Sequence, residues 1–185
     1  CKAREPAEPV AFWEKMLGED FYLVHFNRYP EVAARSFDTN PKRVLTNLYR
    51  TKHWLEKGTF QPDGYNIVRS AEVDNTRGEL MLSEEDLMVF VDAFTYGGFV
   101  APCNWYRNFT RNWETMAHVK QTIELPSLMI YGEYDMVPKV DMTDIVLDLE
   151  IKTLDCGHWI QQEEPENTNQ ILLEWLERKI KPFLA

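Results

Sequence analysis

Two short stretches toward the C-terminus hold residues whose types and spacing suit proton transfer. In Tyr131-Gly132-Glu133-Tyr134-Asp135 an acid follows the apolar run Ser127-Leu128-Met129-Ile130-Tyr131, which reads as a buried parallel strand ending at Gly132. In Asp155-Cys156-Gly157-His158-Trp159 a histidine follows a glycine in the loop beyond a second strand, Glu150 to Leu154. Open α/β sheets place their active sites just past the carboxyl ends of such strands. An acid followed by a histidine is also one of the chain orders in which a nucleophile–acid–histidine triad is laid out. The acid would orient the imidazole and stabilise its protonated form, and the histidine would act as general base on water or on a nucleophile. A plainer role fits the same residues: Asp135 capping a following helix, and His158 sitting in a surface loop.

The remaining reactive side chains offer less. Cys103 and Cys156 read as buried small hydrophobes, since nothing near either would stabilise a thiolate. His53 and His118 have no motif around them and read as surface histidines. The acidic run at 163–166 reads as the solvated start of the last helix. None of the 8 glycines forms a G-x-[Ser/Asp/Cys]-x-G elbow, so no nucleophile is identified.

These residues need elements to carry them. Residues 9–56 read as helical: Phe12, Met16 and Leu17 recur at helical spacing before Gly18, and Asn40-Pro41 opens a helix with Val44, Leu45, Leu48 and Tyr49 on one face. Residues 57–82 are polar and irregular, the texture of a functional or mobile loop. Ser83 followed by Glu84, Glu85 and Asp86 is a helix start, with Leu87, Phe90, Val91 and Phe94 at core spacing and Gly97-Gly98 as the stop. One amphipathic helix is expected within 101–117, carrying Trp105, Tyr106, Phe109 and Trp113. A helix is expected near 138–148 between the strands, and another on Ile171, Leu172, Trp175, Leu176 and Ile180. Strand, helix, strand, helix is the tail of an α/β sheet, and two parallel strands alone cannot be covered on both faces.

Composition narrows the partners. The 185 residues are 44% apolar, and 30 acids against 20 Lys+Arg give a net charge of −10. That field argues against nucleic acid, an anionic membrane surface or a polyanionic substrate. No apolar run is long enough to span a bilayer, and CKAREPAEPV has no signal-peptide core. The 3 cysteines lack disulfide or zinc spacing, which fits a reduced cytoplasmic protein. A first residue Cys1 rather than Met suggests a truncated or processed piece.

Longer words now point to a family. Asp155-Cys156-Gly157-His158-Trp159-Ile160-Gln161-Gln162, continuing through Glu163-Glu164-Pro165-Glu166 to Asn169, resembles the histidine loop of soluble epoxide hydrolases of the α/β-hydrolase fold. Gly98-Phe99 through Asn104-Trp105-Tyr106-Arg107-Asn108 resembles the lid segment that carries one of that family's two ring-opening tyrosines, and Asp20-Phe21-Tyr22-Leu23-Val24-His25-Phe26 is similar to the segment with the other. The resemblance implies an α/β fold present in part: a helical lid over 1–122, then the last two parallel strands and C-terminal helices of the sheet domain over 123–185. It implies Asp135 and His158 as the acid–histidine pair and Tyr22 and Tyr106 as donors to the opening oxygen, with His25 the rival donor beside Tyr22. Trp105, Trp159, Phe26 and Phe99 would line an apolar substrate pocket.

A phenol stays protonated at neutral pH, so two phenols could stabilise a developing alkoxide without first ionising. The implied reaction takes a small apolar epoxide and water to a vicinal diol through a covalent ester, with no metal or organic cofactor. The aspartate nucleophile it requires is absent here and expected upstream of Cys1, which would leave this chain inactive alone. A homodimer of the complete protein stays open. So do three other readings: a haloalkane-dehalogenase-like hydrolase, an esterase-like hydrolase, and a non-catalytic lid fragment that binds a partner.

Overall fold

The computed structural model describes residues 7–51 and 67–184. Cys1, His53 and residues 57–66 of the polar loop lie outside the described residues.

The N-terminal region is built from short helices, three of which carry side-chain caps. The helices are α1 (Pro9–Leu17), α2 (Tyr22–Arg28), α3 (Pro30–Phe37), α4 (Pro41–Leu48), α5 (Glu84–Gly97), α6 (Val100–Trp105) and α7 (Asn108–Thr115). Proline opens α1, α3 and α4, where its missing N–H costs nothing. The Glu8 carboxylate accepts from Val10 N and Ala11 N, Asn40 Oδ1 from Arg43 N, and Ser83 Oγ from Asp86 N at 3.0 Å. Each such cap contributes about 1 kcal/mol to its helix. Gly98 ends α5 at φ 68°, a left-handed backbone that favours glycine.

Helices α2 to α6 share one apolar core. Phe26, Ala33, Ala34, Phe37, Val44, Leu45, Leu87, Val91, Phe99 and Cys103 are buried together, with Phe26 edge-on to Phe37 at 5.7 Å and Phe94 stacked on Phe99 at 4.5 Å. The part of the polar loop that is described is not loose. Ile67–Arg69 form a 3₁₀ turn, Ser70, Ala71 and Asn75 are buried, and the Asn47 side chain ties them to α4. Its Nδ2 donates to the Ser70 and Val73 carbonyls, both at 2.9 Å, and its Oδ1 accepts from Asn75 N at 2.8 Å.

The single helix expected within 101–117 is instead two, broken at Tyr106-Arg107. The helix tightens at its end: Tyr106 N and Arg107 N turn to the carbonyls three residues back, Cys103 at 3.2 Å and Asn104 at 3.1 Å. Asn108 Nδ2 and Asn27 Nδ2 then donate to the Trp105 and Tyr106 carbonyls at 3.1 and 2.8 Å and brace the break.

The C-terminal region holds β1 (Ser127–Gly132) and β2 (Leu149–Leu154), paired in parallel from Ser127↔Leu149 to Gly132↔Leu154. An isolated bridge between Ile123 and Val146 extends the pairing toward the N-terminal end. No helix forms near 138–148. Asp141 Oδ1 captures the Thr143 N–H at 3.0 Å and its hydroxyl at 2.7 Å, and Ile145 gives its carbonyl to Ile123 N at 2.7 Å. Local side-chain capture and the sheet extension leave one turn where a helix was expected.

After β2 come α8 (Ile160–Glu163), α9 (Pro165–Trp175), a π-helical turn over Leu176–Ile180 and α10 (Lys181–Leu184). Among the described residues β1 and β2 pair only with each other, and apolar side chains around them stay open, Leu125 at 74% and Leu173 at 62% exposure. Among the described residues no helix is long and apolar enough to cross a membrane.

Candidate active site

The turn after β1 and the loop after β2 meet through a glycine contact. A Cβ on Gly132 would lie 2.0 Å from the Gly157 carbonyl oxygen and 2.7 Å from that of Cys156. Only glycine admits this approach. Backbone bonds then lock the two together: Tyr134 N donates to Cys156 O at 3.0 Å, and Glu133 N to Leu154 O at 2.8 Å.

Asp135 and His158 face each other across this junction. His158 Nδ1 lies 3.0 and 3.1 Å from the two Asp135 carboxylate oxygens. A carboxylate only accepts, so Nδ1 carries the proton in the neutral ring and Nε2 keeps a free lone pair, the arrangement of a general base. Burial pushes the Asp135 carboxyl up, but the hydrogen bonds from His158 and from Val137 N, with the charge of Lys139, outweigh it and hold the group below its ordinary value. Asp135 is also the more sheltered partner, at 12% exposure against 43% for His158.

Above the pair lies a cavity of about 280 Å³. His158, Trp159, Tyr22, Tyr106, Phe26 and Phe99 line it, together with Met136 and Val137 from the Asp135 turn. Tyr22 opens α2, and Tyr106 follows α6 at the helix break. Their rings meet edge to face at 6.0 Å, with Phe26 edge-on to Tyr106 at 5.1 Å. The Asn27 bond to the Tyr106 carbonyl fixes α2 against this break. Burial, with the charge of Tyr106 and Asp135 behind it, pushes the Tyr22 phenol up to about 12; burial also raises Tyr106. Both therefore stand as neutral O–H donors at neutral pH.

Several residues take different places from those expected. Trp105 does not line the cavity: its side chain is 75% exposed, beside Phe109 and Asn112 in a separate shallow pocket. His25 faces away, packs on Tyr29 at 5.5 Å, and has its Nε2 buried without a hydrogen-bond partner among the described residues. Burial lowers its pKa against the opposing charges of Asp20 and Glu19. Cys103 and Cys156 are buried and unpaired, and burial first of all pushes their thiols up to about 11 and about 12.

The acidic run at 163–166 is not simply solvated. Glu163 turns inward and accepts from Gly157 N at 2.9 Å and Trp159 N at 3.2 Å. Sequence reasoning missed Glu163, Asn27 and Asn47. The one available signal was an acid four residues after Trp159, one residue beyond the spacing at which a capping-box acid reaches back to its helix start. Among the described residues no three His, Cys, Asp or Glu side chains gather as a metal site would require.

Comparison with known proteins points one way. Epoxide hydrolase A of Mycobacterium tuberculosis is 31% identical over 94% of this chain and 57% of its own length. Bifunctional epoxide hydrolase 2 of Sus scrofa is 33% identical over 84% of this chain and 29% of its own. The crystal structure of epoxide hydrolase A from Mycobacterium thermoresistibile superposes with a TM-score of 0.77 at 27% identity, covering 96% of this chain and 59% of that one. No protein-family profile matches. The chain thus spans from about a third to somewhat over half the length of these relatives.

Proposed function

The chain belongs to the α/β-hydrolase-fold epoxide hydrolases, and on that premise we propose that the full-length protein opens a small apolar epoxide and hydrolyses the resulting ester to a vicinal diol. In this reading residues 1–122 form the lid, and residues 123–185 the C-terminal part of the hydrolase core. The nucleophile comes from sequence outside these 185 residues, which also covers the open face beside β1 and β2. The two buried, unpaired thiols suit a reducing compartment, and the cytoplasm is part of the proposal.

The observation that carries the reading is the meeting of an acid-backed histidine and two buried phenols on one apolar cavity. A carboxylate nucleophile attacks an epoxide carbon, the carbon–oxygen bond breaks, and Tyr22 and Tyr106 donate to the oxygen that leaves. Their raised pKa values do not prevent this. An alkoxide is about as basic as hydroxide and far more basic than a phenolate, so the Tyr22 phenol, even pushed up to about 12, remains the stronger acid. Water then attacks the ester carbonyl as His158 Nε2 takes its proton and Asp135 stabilises the imidazolium. The imidazolium returns that proton to the departing alcohol oxygen, and the carboxylic acid left behind gives its proton to the tyrosinate formed in the first step, which restores both the carboxylate and the phenol.

The test separates the two halves of the reaction in the full-length protein. His158→Gln should trap the ester as a stable mass adduct after incubation with styrene oxide. Tyr106→Phe should slow ester formation by about 100-fold, the usual worth of one donor to a developing oxyanion. No adduct in the His158 variant would sink the reading.

A further inference from the structure

The histidine loop is held from two sides. On one side, backbone bonds and the Gly132 contact press Cys156 and Gly157 against the end of β1. On the other stand the N–H groups of Gly157 and Trp159, one on either side of His158. Trp159 N belongs to the peptide that follows the His158 Cα, and Gly157 N to the peptide one removed on the other side, so the two donors bracket the residue that carries the imidazole. Both go to one side chain: Glu163 Oε2 accepts from Gly157 N at 2.9 Å, and Oε1 from Trp159 N at 3.2 Å. A carboxylate offers acceptors on both oxygens, and charge-assisted bonds of this kind are about twice as strong as neutral ones.

We propose that Glu163 is the positioning residue for His158, its two oxygens gripping the backbone on either side of the histidine so that Nδ1 meets Asp135 and Nε2 faces the cavity. The inference rests on the reading of His158 as the water-activating base. Glu163 itself touches neither the cavity nor the reacting atoms; it acts through the loop. The grip is specific to a carboxylate. Glutamine has the same shape but presents one acceptor and one NH₂, and the NH₂ would face a backbone N–H, donor against donor. One bond would be lost and a repulsion gained, turning the loop without emptying any space.

Glu163→Gln in the full-length protein is the test, with ester formation and ester hydrolysis timed separately by rapid quench and intact mass after mixing with styrene oxide. Hydrolysis should slow about 10- to 100-fold, the range that a misplacement near 1 Å brings, while ester formation keeps its rate. The downfield proton resonance of His158 Nδ1–H, which reads its bond to Asp135, should move upfield. Glu163→Asp keeps both acceptors on a shorter stem and should fall between the two; it also carries the test if Glu163→Gln does not fold. Equal slowing of both steps, in step with a lower melting temperature, would overturn the proposal, as would unchanged hydrolysis. If the wild-type protein forms no ester, the epoxide reading fails, yet the resonance still decides the positioning role: unmoved in Glu163→Gln, it refutes the grip.

Discussion

The two regions hold their functional side chains by different physics. The helical region places Tyr22 and Tyr106 on a continuous apolar core, from Phe26 in α2 through Leu87 and Val91 in α5 to Cys103 in α6. Their orientation follows from packing and from the Asn27 bond at the helix break. The C-terminal region has few buried hydrophobic residues, Val146, Cys156 and Trp175 among those described, and leaves Leu125 and Leu173 open. It places Asp135 and His158 by backbone bonds, a glycine contact and paired carboxylates. Phenols that donate to a developing charge tolerate a soft, apolar mount, whereas a general base must present one ring nitrogen in one direction. The polar clamp suits the second task because hydrogen bonds are directional and apolar contacts are not.

If this contrast is right, damage to one region should leave the other's chemistry standing. The largest effect is expected from Leu87→Ala. Leu87 is 1% exposed in the shared core and lies outside the cavity lining. Its truncation should lower stability by about 3 kcal/mol, read by urea denaturation of the full-length protein. The His158 Nδ1–H resonance should keep its position in the variant; a shift would mean that the histidine loop depends on the helical core. Next in size is Gly132→Ala. A methyl group 2.0 Å from the Gly157 carbonyl must push the loops apart, and a displacement near 1 Å should cost about 100-fold in ester hydrolysis. Ester formation, set by the tyrosines, should hardly change. Equal losses in the two steps would erase the distinction between the regions.

Much of this division was legible in the sequence because it is local. Asn40, Ser83 and Gly98 announce their helix ends through side chains or backbone angles that act within three residues. The strand ends before Asp135 and His158 follow from apolar runs stopped by turn residues. What stayed hidden depends on partners distant in the chain. The break at Tyr106 is braced by Asn27, 79 residues earlier, which donates to its carbonyl. Residues 138–148 have a helical texture, yet Ile123 captures the backbone of Ile145 for the sheet. Trp105 and Trp159 are equally apolar on paper, and only the fold turns one to solvent and the other to the cavity. Glu163 reads as one acid in a solvated run until the loop curls back over it.

The smallest expected effect lies at the seam between the regions. Trp159 is the residue after the histidine, and its indole Nε1–H donates to the Leu48 carbonyl at the end of α4 at 2.8 Å. Its ring also lies against Tyr49, with centroids 4.6 Å apart. The Leu48 carbonyl accepts from Arg50 N at 3.0 Å as well, so losing the indole donor would not leave it unpaired. Trp159→Phe keeps an apolar ring in the cavity wall but removes the donor together with one ring of the indole, so the loss should be that of a single neutral hydrogen bond, about 1 kcal/mol, with some ring contact on Tyr49 added to it. If the regions are separately supported, the cost of Trp159→Phe should add to that of Leu87→Ala within about 0.5 kcal/mol in urea denaturation. A larger departure from additivity would mean that the Trp159 bond transmits the packing of the core into the histidine loop, and that the two supports act as one.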